Sequence, residues 1–113
     1  MYKFPRDNRL TSKQDFQSVF AASKKATQKY LLALSRPNQL PHARLGMVIP
    51  KHHLKLAVHR NQLRRIIRES FRHNKQPLKG LDIIVLLRSK CTPLDNNALR
   101  DDLNRLWQKL IIS

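Results

Sequence analysis

The run Ile83-Ile84-Val85-Leu86-Leu87, bounded by Asp82 and Arg88, contains no polar residue. Five residues are too few for a stable helix, but they make an ordinary strand. A strand that is apolar at every position must be covered on both faces, as in the centre of a sheet with helical crossovers. The segment therefore predicts a layered α/β arrangement. With 113 residues, 41% of them hydrophobic, the chain has the length of one domain, taken here as 1–113, and enough apolar residues for a core.

The flanking segments supply the other elements. Thr11 and Gln14 have capping-box spacing. They predict a first helix carrying Phe16, Val19, Phe20 and Ser23 on one face and fading near Lys25. Lys29–Ser35 reads as a strand. Arg36–Pro41, with two prolines, reads as a turn. In Arg44–Pro50, Leu45, Met47 and Ile49 alternate with Gly46 and Val48, the period of a strand. Two strands joined by a short turn predict an antiparallel hairpin. Leu56 to about His73 is the strongest helix, with Leu63, Ile66, Ile67, Ser70 and Phe71 as its buried stripe. Asn74–Gly80, with Pro77 inside, ends it. A last helix starts at Thr92-Pro93, Pro suiting the first helical position, and packs through Leu99, Leu103, Leu106, Trp107 and Leu110. The predicted order is α-β-β-α-β-α, a two-layer sandwich of one small mixed sheet and about three helices.

Charge indicates the partner. Twenty-three Lys and Arg against seven Asp and Glu leave +16. Self-repulsion on that scale destabilises a compact chain, and a polyanion relieves it. The single cysteine, Cys91, allows no intrachain disulfide and reads as a small apolar residue in a reducing compartment. Residues 1–7 lack the apolar core of a secretory signal, and no apolar run reaches membrane-span length. The expectation is a cytoplasmic protein with no membrane association and no obligate protein partner.

A self-contained catalytic site is not legible. The two glycines, Gly46 and Gly80, cannot form a phosphate-cradling loop. Asp101 and Asp102 are adjacent on a helix and diverge by about 100°, so both read as a solvated face rather than a converging pair. His52 and His53 are adjacent as well, and no metal-ligand spacing of His or Cys occurs.

The basic segment carries more information. Lys51 to Lys75 holds eight Lys or Arg and one acid, Glu69. On a helical wheel Asn61, Arg65, Arg68 and Arg72 fall within an arc of about 60°, opposite the apolar stripe. Arg64 flanks the arc, and Arg60 lies nearer the apolar edge. Guanidinium groups grip phosphate bidentately and stack on bases. Phe16 and Phe20, one turn apart with Arg9, Lys13, Lys24 and Lys25 around them, fit either core packing or the stacking platform of a single-strand RNA binder.

The stretch Arg60-Asn61-Gln62-Leu63-Arg64-Arg65-Ile66-Ile67-Arg68-Glu69-Ser70-Phe71-Arg72 resembles the signature of the protein subunit of bacterial ribonuclease P over thirteen positions. Other features similar to that family follow in order. They are Arg9-Leu10, Asp15-Phe16 with Val19-Phe20, Arg44-Leu45-Gly46, Lys51, Ala57, Asp82-Ile83-Ile84-Val85 and the Leu-rich C-terminal helix. The chain departs from the pattern at Lys51-His52, where two lysines are usual, at Ala22-Ser23 in place of a glycine, and between residues 52 and 57, where glycine is common. The sheet residue often aromatic in the substrate cleft falls at Leu32 or Leu34. The expected cleft is therefore either lined by Leu or completed by Tyr30.

The resemblance implies a left-handed β-α-β crossover, against the usual hand. It also implies a catalytic RNA partner that binds Mg²⁺ and hydrolyses precursor tRNA at the 5′ end of the mature sequence. On that basis Lys51, Lys55, Arg60, Asn61, Arg64, Arg65, Arg68 and Arg72 are expected to dock on the ribonuclease P RNA. Arg9, Lys13, Phe16, Phe20 and Leu34 are expected to hold the single-stranded 5′ leader. The alternative is a basic ribosomal or ribosome-associated RNA-binding protein. A DNA-reading helix would display short polar residues beside its arginines. A membrane-surface helix would need the apolar stripe that the core takes.

Overall fold

The computed structural model describes residue 9 and residues 13–21, 24–90 and 96–112. Eight elements follow in order: α1 (Lys13–Ala21), β1 (Lys24–Thr27), β2 (Leu31–Pro37), β3 (Arg44–Val48), α2 (Ala57–His73), α3 (Lys75–Leu78), β4 (Leu81–Leu87) and α4 (Asn96–Ile112). The fold is a mixed four-stranded sheet between helices. Its strand order is β1-β2-β4-β3, with β1–β2 and β2–β4 antiparallel and β3–β4 parallel.

The apolar run does form an inner strand. On β4, Ile83, Val85 and Leu87 face the main core with Leu63, Ile67 and Phe71 of α2 and Leu103, Leu106 and Trp107 of α4. Ile84 and Leu86 face the other way, toward Val19 and Phe16 of α1. The two helix stripes read from periodicity are buried where they were expected, except that Ser70 is half-buried and accepts a 2.7 Å hydrogen bond from Trp107 Nε1. Phe71 meets the Trp107 ring edge-on at 6.1 Å between centroids, a favoured aromatic geometry.

The expected hairpin does not form. β2 and β3 run in opposite directions, but β4 lies between them and pairs with both. Residues 38–43 carry the chain over the end of β4 instead of closing a tight turn. Asn38 organises that crossing: its Nδ2 donates to His42 O and Asp82 Oδ1, and its Oδ1 accepts Leu40 N–H. Gly80 leads into β4 with φ of 84°, a left-handed conformation that side-chain-bearing residues avoid.

Two further differences concern element boundaries. The first helix ends at Ala21, short of the expected fade near Lys25, and Lys24–Thr27 forms an edge strand. The link between α2 and β4 contains the short helix α3. The observed order is thus α-β-β-β-α-α-β-α. Thr11, Ser23, Cys91 and Thr92-Pro93 lie outside the described residues. No helix is long and apolar enough to cross a membrane among the described residues.

Asp102 is not solvated. It is 3% exposed, and its Oδ2 accepts the Tyr30 backbone N–H at 2.8 Å, whereas Asp101 is exposed. The divergence of neighbouring helix positions sends one carboxylate outward and the other against the sheet.

Candidate nucleic-acid interface

α2 presents two faces of opposite character. Its apolar stripe is buried, while Asn61 and Arg65 are exposed and Arg64, Arg68 and Arg72 are half-exposed. The helix begins at Ala57 with Leu56 as its N-cap and no side-chain cap. Arg60 braces this start instead, donating from Nη1 to Leu54 O at 2.9 Å and Lys55 O at 2.7 Å. Arg60 is thus partly committed to shaping its own loop, which holds Lys51 and Lys55 in exposed positions. Arg64 Nη1 donates to Asn61 Oδ1 at 2.9 Å, so these two side chains present one joint polar surface.

Arg9 joins this row. It forms a parallel bridge to Leu45, at the edge of β3 away from β4. Partial burial pulls the Arg68 guanidinium below its ordinary pKa, and the charges of Arg9 and Arg64 pull it the same way. The three arginines therefore create a local excess of positive potential that a phosphate would relieve. Arg9, expected beside the aromatic pair, is electrostatically coupled to the α2 row.

The second region lies on the other face of the sheet. α1 packs on β2 and β4. Val19 is fully buried against Leu34 and Ile84, and Phe16, Leu32, Val48 and Leu86 pack partly buried around them. Phe20 is 47% exposed. Lys13 is exposed at the start of α1, and Lys25 and Thr27 border the same face on β1. Leu34, expected to touch ligand, is the floor beneath α1 (9% exposed), while Leu32 keeps part of its surface. Tyr30 packs against the core on the opposite face, away from α1, under Lys29 Nζ at 5.1 Å from the ring centroid.

A buried ion network that sequence reasoning missed anchors this face. Asp82 is fully buried. Arg44 donates to it twice, Nε to Oδ1 at 2.8 Å and Nη2 to Oδ2 at 2.7 Å. Arg36 Nη2 lies 3.3 Å from Oδ2, and Asn38 Nδ2 donates to Oδ1 at 2.9 Å. Arg44 Nη1 also reaches Asp15 of α1 at 3.5 Å. Burial pushes the Asp82 carboxyl up, but hydrogen bonds from Arg44, Asn38 and Arg36, with the Arg44 charge, more than reverse this and hold it below its ordinary pKa. The Asp82 hydrogen bond in turn raises Arg44. The one signal in the sequence was an acid opening an otherwise apolar strand.

An arginine-faced helix packed on a mixed sheet, in a chain of net charge +16, defines a basic α+β protein of the kind that meets a polyanion. The sequence pattern of the ribonuclease P family matches residues 4–111. The ribonuclease P protein component of Pseudomonas aeruginosa is 46% identical over 109 residues, covering 96% of this chain and 81% of the relative. That of Photorhabdus laumondii is 41% identical over 106 residues, covering 94% and 89%. Among solved structures, the RNase P protein from Thermotoga maritima superposes with a TM-score of 0.77 at 33% identity, covering 89% of this chain and 96% of that one. The Staphylococcus aureus RNase P protein gives 0.79 at 26% identity, covering 90% and 94%.

The chain belongs to the ribonuclease P protein family. It is a subunit of a tRNA-processing endoribonuclease whose catalyst is RNA. The ribosomal alternative finds no support in these likenesses.

Proposed function

We propose that the two regions divide the work of the subunit. The α2 row, with Arg9, Lys51 and Lys55, docks on the catalytic RNA. The face between α1 and the sheet receives the single-stranded 5′ leader of precursor tRNA. The observation that carries this reading is the placement of Phe20. It is an aromatic ring left 47% exposed on α1, the helix whose Val19 and Phe16 pack over Leu34 and Ile84 of the sheet.

Phe20 offers a stacking surface, Leu32 an apolar contact, and Lys13 and Lys25 charge for the backbone. Stacking accepts any base, which suits a leader whose sequence differs between precursors. Holding the leader favours precursor over mature tRNA and so relieves product inhibition. The net charge offsets repulsion between two RNAs.

The carboxylates best placed to ligate a cation are already engaged, Asp82 by two guanidinium groups and Asp102 by a backbone N–H. We assign Mg²⁺ to the RNA subunit and the substrate, with the protein lowering the concentration required. The cytoplasm, where tRNA is processed, is the proposed location.

The test is reconstitution. The protein is mixed with ribonuclease P RNA from the same organism at low Mg²⁺, and leader release from 5′-labelled precursor tRNA is followed. Cleavage that requires both components is the expected result. Binding without stimulation overturns the proposal.

A further inference from the structure

Positive charge is not confined to α2. A second set of cations lies along β1 and around the β1–β2 turn, at the opposite edge of the sheet. Lys24 and Lys25 lie on β1, Lys29 in the turn, Arg88 directly after β4 and Lys109 on α4, all exposed. Cross-element bonds bring Arg88 and Lys109 to the turn that carries Lys29. Arg88 Nη1 donates to Gln28 O at 2.8 Å, Lys109 Nζ donates to Thr27 O at 3.3 Å, and Ser89 Oγ donates to Lys29 O at 3.0 Å. These acceptors are carbonyls, which satisfy donors without neutralising charge. Of the two acids on α4, Asp102 is buried, accepts Tyr30 N–H and lies 4.0 Å from Arg105, and Asp101 is exposed one turn before Arg105.

Lysine on an edge strand discourages pairing with another sheet, and that accounts for Lys24 and Lys25. It does not account for Lys29, Arg88 and Lys109, which lie beyond the strand. The set is also continuous with the cleft. Lys25 pairs with Leu34 and Thr27 with Leu32, on the face that α1 covers. Neighbouring strands are about 4.8 Å apart, so a chain leaving the Leu floor across β1 meets Lys25 at once and the turn next.

We propose that this edge binds the phosphate backbone of single-stranded RNA upstream of the leader segment held in the cleft. The proposal rests on the cleft reading above. It extends the substrate contact to longer leaders, through charge and without base preference.

The test uses reconstituted holoenzyme and two precursor tRNAs. One leader is just long enough to fill the cleft, and the other is several-fold longer. Lys29→Glu/Lys109→Glu should weaken binding of the long-leader precursor roughly tenfold at low salt, with its salt slope shallower by about 1.4 for two lost single-strand contacts. Binding and cleavage of the short-leader precursor should match wild type, which also reports a folded subunit. Lys29→Arg/Lys109→Arg should behave as wild type on both. Equal losses on both precursors, or no loss on either, overturn the proposal. Phe20→Ala separates the two readings. If only the edge assignment is wrong, Phe20→Ala still lowers the preference for precursor over mature tRNA. If the cleft reading is wrong, that preference is unchanged.

Discussion

Arg44 and Asp82 face each other across the parallel pair β3–β4, joined by two hydrogen bonds of 2.8 and 2.7 Å. The carboxylate is fully buried, and the guanidinium also reaches Asp15 on α1. The pair therefore fixes the register of the crossover and helps set where α1 lies over the sheet. Through α1 it positions Phe16 and Phe20.

Removing the carboxylate charge should be costly. Asp82→Asn leaves Arg44 and Arg36 facing a neutral partner in a largely buried place. The expected loss is about 3 kcal/mol, as for other broken buried pairs. Urea unfolding checks it, and a change under about 0.5 kcal/mol would contradict it, since that is the range of ordinary surface substitutions.

The same group predicts a pH dependence. Its folded pKa lies below the ordinary value of 3.8, so the unfolded chain takes up the proton first as pH falls. Its contribution is complete above 3.8 and is lost as pH drops through the lower folded value. Stability measured from pH 6 down to about pH 2 should fall more steeply in wild type than in Asp82→Asn. Parallel profiles would show that Asp82 is not the titrating group.

Phe16 and Phe20 should separate by what each buries. Phe20→Ala should leave the unfolding midpoint nearly unchanged and weaken precursor tRNA binding by about 1–3 kcal/mol, the range for one stacked base. Phe16→Ala should show that binding loss together with a stability loss, because Phe16 packs on the Val19–Leu34–Ile84 cluster. Mature tRNA binding should be unaffected in both. Equal losses for precursor and mature tRNA would place the aromatics outside the leader contact.

Arg65 and Arg60 should separate in the opposite sense. Arg65 is exposed on α2, so Arg65→Ala should weaken binding to the catalytic RNA and lower the salt slope by about one, without changing stability. Arg60→Ala also frees two carbonyls at the helix start and should lower stability by about 1 kcal/mol. Filter binding and thermal unfolding of the two variants distinguish these effects.

Wild-type affinity for the RNA should depend steeply on salt. If six to ten phosphates are neutralised, it should fall about 10³–10⁵-fold between 50 and 200 mM salt. A flat response would remove the electrostatic basis of docking.

The sequence by itself determined the parts of this protein that depend on local periodicity. The stripes of α2 and α4, the arginine row opposite one of them and the doubly covered Ile83–Leu87 strand follow from which side chains recur at 3.6 or 2 residues. So does the thirteen-residue motif that marks the family, since it lies on one helix. Tertiary structure decided the rest. Whether the β2–β3 turn closes a hairpin depends on a strand more than thirty residues later, which inserts between them. β1 is a strand because β2 offers it an edge, and its own composition gives no such signal. The roles of Asp82, Asp102 and Arg60 depend on partners chosen by packing: a carboxylate is a solvated charge or a buried anchor according to what the fold places beside it. Charge and periodicity are properties of the chain, whereas pairing and burial belong to contacts between distant segments. For that reason the α2 row is legible in the sequence and the buried Asp82 network is not.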